Sequence, residues 1–384
     1  MICSRSLVSW PFSALAAAVM TLGVQAQTPV DLGNWTAESY SAVSGFGPGV
    51  WTVSPDGSTV VQSVNGQPTF FVSDFEVFNT VIEGSIQVLD PPNDDDFIGF
   101  ALGYESGDNQ NPSADYLLID WKSGDQFFNF GAPSCTPGTQ APAGLAVSRV
   151  SGIPTADEFW GHTTFDEPAC SDASNGLVEL ARANTLGSVG WINGMSHTFR
   201  FDYSATNLKV FVDDVLEIDI DGMFMQGRIA FYNFSQAQVE YTAFTMECPA
   251  AWTNYGTGWP GLNGVPELGL SGLPVLGTAV DVNVGNTSGG PAHACLFIST
   301  APESVATGLG GTFLVDALEL TSVVVFDPLP AAGTALPFPV PNNPDLLCAG
   351  FYLQLATVDP GASAGVSFSR GLEVALGGLP FGDG

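Results

Sequence analysis

The chain has 384 residues, of which 39 are acidic and 8 basic, so its formal charge is −31 although only 12% of its residues are charged. Affinity for nucleic acid comes largely from Lys and Arg that neutralise phosphates, so a chain with two lysines, Lys122 and Lys209, is a poor nucleic-acid ligand. With 45% hydrophobic residues it is also too apolar for a disordered acidic tail. Its 45 Gly and 27 Pro favour turns over helices and indicate an all-β fold.

Residues 1–26 have the pattern of a secretory signal peptide. Arg5 gives a weakly positive start, residues 12–22 are apolar and rich in Ala, and small residues stand at Val24 and Ala26, where signal peptidase needs them. We therefore expect cleavage before Gln27 and a secreted or cell-surface protein. No later segment has 18 unbroken apolar residues, so no transmembrane segment is predicted.

A change in composition divides the remaining chain into two predicted domains. Residues 27–249 contain 29 acidic and 6 basic residues, whereas residues 250–384 contain 10 acidic residues and one basic residue, Arg370, and are rich in Gly and Pro. We expect a larger β-sandwich over 27–249 and a smaller β-sandwich over 250–384.

In the first region, short runs of β-forming residues recur between turn signals, as in an antiparallel sandwich. The clearest is a hairpin over 208–218, in which two alternating strands meet at Asp213 and Asp214, a residue type that tolerates positive φ. Residues 151–175 lack periodicity and are predicted to form a long loop held by Cys170. The predicted strands here are 80–89, 97–104, 116–121, 197–203, 208–212, 215–220, 228–234 and 239–246.

The second region has fewer strand-like runs, and no convincing amphipathic helix is found in either region. The predicted strands of the second region are 278–284, 294–299, 320–326, 351–358 and 365–376.

Five cysteines remain once Cys3 leaves with the signal peptide. Export exposes them to oxidising conditions that favour disulfides. Their neighbourhood in the sequence suggests two bonds, Cys135 with Cys170 and Cys295 with Cys348, which leaves Cys248 at the domain boundary.

Three adjacent carboxylates, Asp94, Asp95 and Asp96, stand just before a predicted buried strand. A hard cation such as Ca²⁺ prefers several oxygen ligands, and a loop of this kind offers carboxylates and backbone carbonyls together. Asp115 and Asp120, which flank the following strand, are further candidate ligands. The alternative is a solvated acidic turn, which is common in proteins.

Two other patterns in the sequence are candidate sites. Glu217, Asp219 and Asp221 alternate along a strand, which indicates a solvent-facing row more than a calcium loop or a glycosidase carboxylate set. Trp160, in the unpatterned segment, is a candidate for stacking on a sugar ring, whereas the other aromatic residues suit a sandwich core. No catalytic motif is found, so the chain is predicted not to be an enzyme.

Four segments, taken in order, resemble the C-terminal lectin-like domain of thrombospondins. Residues 93–104 carry the Asp triplet, then aromatic-x-Gly-Phe and a closing Gly-Tyr; residues 116–122 end in Trp-Lys; residues 159–163 contain Trp-Gly-His-Thr; and residues 227–248 run from Gly-Arg-Ile to a final Cys. The resemblance covers roughly residues 73–248. It implies a concanavalin-like jelly roll of two antiparallel sheets, calcium binding and cell adhesion.

Residues 250–384 resemble, more loosely, a Gly- and Pro-rich module of secreted marine bacterial proteins. Together these features predict a secreted or cell-surface protein that binds structural calcium and recognises an extracellular glycan or matrix protein. The alternatives are a secreted glycan-degrading enzyme on the same fold and a structural surface protein without a ligand.

Overall fold

The computed structural model describes residues 27–41, 45–89, 94–131, 138–164 and 176–378. These residues form two compact units, one over 27–247 and one from residue 248 onward. The predicted signal segment, Cys135 and Cys170 lie outside the described residues. In the described part of the chain, no helix has both the length and the apolar composition needed to cross a membrane.

The first unit is built almost entirely of antiparallel strands, with one short α-helix, α1 (Ala156–Gly161), and 3-10 turns at Leu32–Asn34 and Asp108–Gln110. Its strands are β1 (Thr28–Pro29), β2 (Thr36–Ser39), β3 (Trp51–Val53), β4 (Thr59–Gln62), β5 (Thr69–Val77), β6 (Thr80–Val88), β7 (Phe97–Tyr104), β8 (Asp115–Lys122), β9 (Gln126–Phe128), β10 (Thr139–Ala141), β11 (Gly144–Ser151), β12 (Gly176–Arg182), β13 (Ser196–Tyr203), β14 (Asn207–Val212), β15 (Val215–Asp221), β16 (Gly227–Phe234) and β17 (Val239–Glu247).

Two sheets make the sandwich of this unit. The front sheet has the order β15-β14-β13-β6-β17-β4-β3, with β1 beside β17, and the back sheet has the order β12-β11-β8-β7-β16-β5-β2. The predicted hairpin is present, since β14 and β15 pair across Asp213 and Asp214, whose φ angles are 48° and 64°. The predicted all-β jelly-roll class is therefore confirmed, and all eight strands predicted here are found within one or two residues.

The main hydrophobic core lies between the two sheets. Alternate residues of the front sheet point inward. In the back sheet, every residue of β7 and every residue of β8 except the first is buried, because both faces of this sheet are covered. The largest residues of the main core include Phe100, Trp121, Phe199, Phe231 and Tyr241.

A second apolar cluster covers the outer face of the back sheet, and we call it the outer aromatic layer. Side chains from β5, β7, β8 and β16 contribute to it from below, and Tyr40, the segment that follows β9, and α1 contribute from above. Its aromatic members are Tyr40, Phe70, Phe97, Tyr104, Tyr116, Phe130, Phe159, Trp160, Tyr232 and Phe234.

The prediction of a continuous loop over 151–175 is wrong at residues 156–161, which form α1. Thr155 and Glu158 cap this helix reciprocally, each side chain bonding the other residue's backbone amide. A helix of six residues is too short to produce a visible period in the sequence. Residues 165–175 of the predicted loop lie outside the described residues.

The second unit is also all-β. Its strands are β18 (Ala251–Tyr255), β19 (Leu268–Leu270), β20 (Ala279–Val284), β21 (Ala292–Ser299), β22 (Pro302–Ala306), β23 (Thr312–Val315), β24 (Leu320–Leu329), β25 (Thr334–Pro339), β26 (Gly350–Val358), β27 (Val366–Phe368) and β28 (Gly371–Ala375), with a 3-10 turn at Pro344–Leu346. A sheet of order β18-β28-β26-β21-β24, with β27 beside β26, and a three-stranded sheet, β19-β20-β25, contribute residues to one core. The single strand predicted over 365–376 is two strands, β27 and β28, interrupted at Ser369 and Arg370.

The described disulfide joins Cys248 to Cys348, whose Cα atoms are 5.1 Å apart. The predicted bond between Cys295 and Cys348 is therefore wrong. The end of β28 explains the pairing, because Leu376 O accepts a hydrogen bond from Cys348 N and Gly378 N donates to Cys248 O. Cys295 lies in the middle of β21, opposite an alanine and a valine of the neighbouring strands.

Candidate cation site

The Asp triplet lies at the end of the segment that leads into β7. One carboxylate oxygen from each of Asp94, Asp95 and Asp96 lies within 4.8 Å of the other two. Asp94 and Asp95 are partly exposed, whereas Asp96 is buried. Asn65 Nδ2 donates to Asp94 Oδ2 at 2.8 Å. The predicted grouping of these three carboxylates is present.

Hydrogen bonds between neighbouring loops and the backbone of the triplet fix its position. Asp96 N donates to Gln236 Oε1 at 3.0 Å, and Ser123 N donates to Asp95 O at 3.0 Å. Trp191 Nε1 donates to Asp96 O at 3.0 Å. Three loops therefore converge on the triplet at this end of the sandwich.

The ammonium of Lys122, the last residue of β8, reaches into the triplet. Its Nζ lies 2.6 Å from Asp96 Oδ1, 3.1 Å from Asp95 O and 3.4 Å from Asp95 Oδ1. Gln126 Oε1 accepts a further hydrogen bond from it at 3.1 Å. The lysine is fully buried, so its three N–H groups are satisfied by protein oxygens and not by water.

Trp160 forms a wall of the ammonium site. Lys122 Nζ lies 4.6 Å from the centre of the Trp160 ring and 5.5 Å from that of Phe97, both within cation–π range. Trp160 is 1% exposed and its Nε1 donates to Gln126 O at 3.2 Å. The prediction that Trp160 stacks on a ligand at the surface is therefore wrong, because α1 places the ring in the outer aromatic layer.

Burial raises the pKa of Asp96 to about 6, although the ammonium of Lys122 acts in the opposite direction. When all groups are ionised, three carboxylates and one ammonium leave a formal charge of −2 in the cluster. Asp95, whose side chain is 45% exposed, and Asp94 present this excess charge to solvent. A divalent cation bound to these oxygens would balance the charge, and carboxylate oxygens are the ligands that Ca²⁺ prefers.

The structure does not bring Asp115 or Asp120 into the cluster. Asp115 begins β8, seven residues or about 23 Å from Lys122 at the strand's usual rise, and it pairs with Arg149 through two hydrogen bonds of 2.6 Å. Asp120 is buried and its Oδ2 lies 3.0 Å from His162 Nε2. Neither residue belongs to the cluster of Asp94 to Asp96, and each carboxylate has its own cationic partner. That either residue binds a metal stays a prediction.

A buried ionic chain surrounds His162, and no motif in the sequence predicts it. Its Nε2 contacts Asp120, and its Nδ1 lies 3.3 Å from Glu179 Oε2, which also pairs with Arg182 at 2.9 Å. Burial lowers the pKa of His162, but the two carboxylates outweigh this effect and raise the pKa to about 9. The imidazole is thus a cation at neutral pH, and this region of the sandwich uses charged groups as structural elements.

The three carboxylates predicted to form a row on β15 differ in burial. Glu217 is buried and accepts a hydrogen bond from Thr185 N at 2.8 Å, whereas Asp219 and Asp221 are exposed and accept hydrogen bonds from Asn207 Nδ2. A register shift between β14 and β15 turns Glu217 inward. The three side chains therefore do not share one solvent-facing row.

The fold defines a lectin-like β-sandwich domain with an acidic cluster at one end. The family model described as the thrombospondin C-terminal region matches residues 48–250, more than half of the chain, and the chain belongs to this family. Thrombospondin-3b of Danio rerio is 27% identical over 213 residues, which are 52% of this chain and 21% of that protein. The chain therefore spans about a fifth of the length of this relative.

Solved structures with partial similarity are carbohydrate-related sandwiches. The carbohydrate-binding module CBM66 from Bacillus subtilis is 12% identical, covers 56% of this chain and 96% of its own, and has a TM-score of 0.35. A family 16 glycoside hydrolase from Bacteroides ovatus is 14% identical, covers 55% and 93%, and has a TM-score of 0.33. The exoplasmic domain of VIP36 is 12% identical, covers 55% and 82%, and has a TM-score of 0.32. At these scores none of their ligands transfers to this chain.

Proposed function

We propose that the first unit is a calcium-stabilised recognition domain that binds an extracellular glycan or matrix protein in an adhesion role. The observation that carries this proposal is the carboxylate cluster of Asp94 to Asp96, with its excess charge of −2 facing solvent, in a member of the thrombospondin C-terminal family. The mechanism is recognition and not turnover.

Asp94 and Asp95 are the residues that would hold the ion. Ca²⁺ takes about six to eight oxygen ligands, so carbonyls and water must complete the set that these carboxylates begin. Asp96 contributes less, because Lys122 already holds its Oδ1. The bound ion would relieve the repulsion between neighbouring carboxylates and tie the loop to the sandwich.

The surface beside the carboxylates suits a docked partner. The loop that contains Trp191 exposes Val189, Ile192 and Met195, which are 49%, 62% and 47% accessible. Its Trp191 bonds directly to Asp96. Exposed apolar side chains next to a charged site are typical of interaction surfaces. The acidity of the chain favours neutral or basic ligands, because polyanions would be repelled.

Thermal unfolding with calcium and with chelator tests the metal. A ligand at about 100 times its Kd stabilises the folded state by about 2.7 kcal/mol, which corresponds to a Tm increase of about 5 to 10 °C for a unit of this size. Asp95→Asn should diminish the increase, whereas Asp74→Asn, which alters an exposed carboxylate of β5, should not. An unchanged Tm across millimolar calcium would remove the proposed site.

Binding arrays of glycans and matrix proteins test recognition. We expect selective binding that weakens with chelator and with Ile192→Ser but not with Val178→Ser, an equally exposed substitution on β12. Arrays that stay blank in calcium would favour a structural surface protein, and release of sugars from a polysaccharide would favour an enzyme. Export is tested separately, since the secreted protein should begin at Gln27.

A further inference from the structure

Lys122 is the most enclosed charged side chain of the cation site. Its relative exposure is 0%, and its ammonium donates to Asp96 Oδ1, to Asp95 O and to Gln126 Oε1. The ring of Trp160 closes the apolar side at 4.6 Å. An ammonium loses several kcal/mol of hydration when it is buried, so it is tolerated only where acceptors and a counter-charge replace the water.

Asp96, in turn, needs a positive counter-charge, because its carboxylate is buried as well. It is 3% exposed, and Lys122 is its charged partner at 2.6 Å. Two carboxylates follow one another in sequence here, and the lysine contacts both. The inner part of the cluster is therefore neutralised by the protein itself, whereas the outer part is left to solvent and solute cations.

We infer that Lys122 is an internal counter-ion that occupies the inner half of the Asp94–Asp96 cluster, keeps the loop folded without metal and confines any bound divalent ion to Asp94 and Asp95. The second half of this inference rests on the proposed calcium site, and the first half does not. Lys122 thus acts as a positioning residue that sets the number of ions and their affinity.

Removing the charge at Lys122 should have opposite effects on the metal-free and the metal-bound protein. In chelator, Lys122→Met leaves Asp96 buried without its charged partner, and we expect Tm to fall by about 10 °C. In calcium, Asp96 becomes available and the local charge becomes more negative, so we expect calcium affinity by titration calorimetry to rise about tenfold. Lys122→Gln, which keeps donors but not the charge, should show the same gain in affinity.

The double variant Lys122→Met with Asp96→Asn is the matched control. It removes the pair together, so it should regain most of the Tm lost in chelator, and its calcium affinity should return toward that of the unaltered protein. This variant also decides the case in which neither single variant folds: a folded double variant supports the inference, and an unfolded one contradicts it.

Two results would overturn the inference. One is a Lys122→Met protein as stable in chelator as the unaltered protein, and the other is no gain of calcium affinity in either single variant. If the unaltered protein does not bind calcium, the proposed function fails on its own. A calcium response that appears only when Lys122 is replaced would then show that the lysine takes the place of the metal completely.

Discussion

His162 Nε2 lies 3.0 Å from Asp120 Oδ2, and both side chains are almost completely removed from solvent. On the other side of the ring, Glu179 lies 3.3 Å from Nδ1, so both nitrogens of the imidazole face carboxylates. Both nitrogens can donate only when the ring is protonated. The histidine is therefore a second buried cation of this unit, besides Lys122, and carboxylates hold it on both sides.

We predict that this pair makes stability fall at alkaline pH. The pKa of His162 is about 9 in the folded chain against 6.5 as its ordinary value. Because the folded pKa is the higher one, the contribution is fully present below about pH 6.5 and is lost as pH rises through about 9. The difference corresponds to about 3 kcal/mol. Thermal unfolding of the unaltered protein and of His162→Gln should show Tm values that converge as pH rises. A constant difference between pH 6 and about pH 10 would contradict the assignment.

A second prediction concerns the disulfide. Cys248 and Cys348 are 100 residues apart, and closing a loop of that length stabilises the second unit by about 4 to 5 kcal/mol in the chain-entropy model. Peptide mapping without reduction should recover a peptide that joins these two cysteines. Cys348→Ser should lower the Tm of the second unit as much as reductant lowers that of the unaltered protein, and reductant should not lower it further. A linked peptide that contains Cys295 and Cys348 would contradict this pairing.

The sequence predicted most strands of the sandwich because their signals are local. The runs that became β6, β13 and β14 alternate in polarity, and the turn at Asp213 and Asp214 needs only residues that accept positive φ. The disulfide could not be predicted in this way. Its partners are brought together by the end of β28 and not by their spacing in the chain.

The carboxylates of the Asp94–Asp96 cluster could be predicted from the sequence, but the buried lysine among them could not. The Asp triplet stands out in the sequence, whereas Lys122 is a single lysine at the end of an apolar run, and such a residue usually marks the exposed end of a strand. Its burial follows from α1 and the outer aromatic layer, which cover a face that the strand pattern alone leaves undetermined. The same cover explains why Trp160 is enclosed.

A third prediction is that Trp160 stabilises the fold and does not bind the ligand. Trp160→Ala should lower the free energy of unfolding by about 3 to 5 kcal/mol, because a buried indole and its contact with Lys122 are lost together. Trp160→Phe, which keeps an aromatic face, should lower it less. Ligand binding per folded molecule should be unchanged in Trp160→Phe. A large loss of ligand binding without loss of stability would contradict this prediction and show that Trp160 contacts the ligand.

A fourth prediction distinguishes the proposed calcium ligands from Asp115 and Asp120. Asp115→Asn removes the charge of Asp115 from its partly exposed ion pair with Arg149. It should therefore change the free energy of unfolding by about 1 kcal/mol or less and leave the calcium-induced Tm increase intact. Asp120→Asn should destabilise the protein in chelator because it leaves His162 without its closer partner, yet the calcium-induced increase should persist. Loss of the calcium-induced Tm increase in either variant would indicate that the substituted residue is a metal ligand.

A fifth prediction concerns Gly99, the glycine of the aromatic-x-Gly-Phe motif in β7. A Cβ at this position would lie 2.1 Å from Ile119 O and 2.8 Å from the Cα of Asp120, so β7 approaches β8 more closely than a side chain permits. Gly99→Ala must therefore separate two central strands that are buried on both faces, and we expect a loss of about 3 kcal/mol or more in the free energy of unfolding. Gly47→Ala, where a Cβ would meet nothing within 4 Å, is the control and should be close to neutral. Denaturant unfolding of both variants decides the matter: equal midpoints would mean that the motif glycine has no packing role, whereas a selective loss in Gly99→Ala explains why this strand carries a glycine beside its phenylalanine.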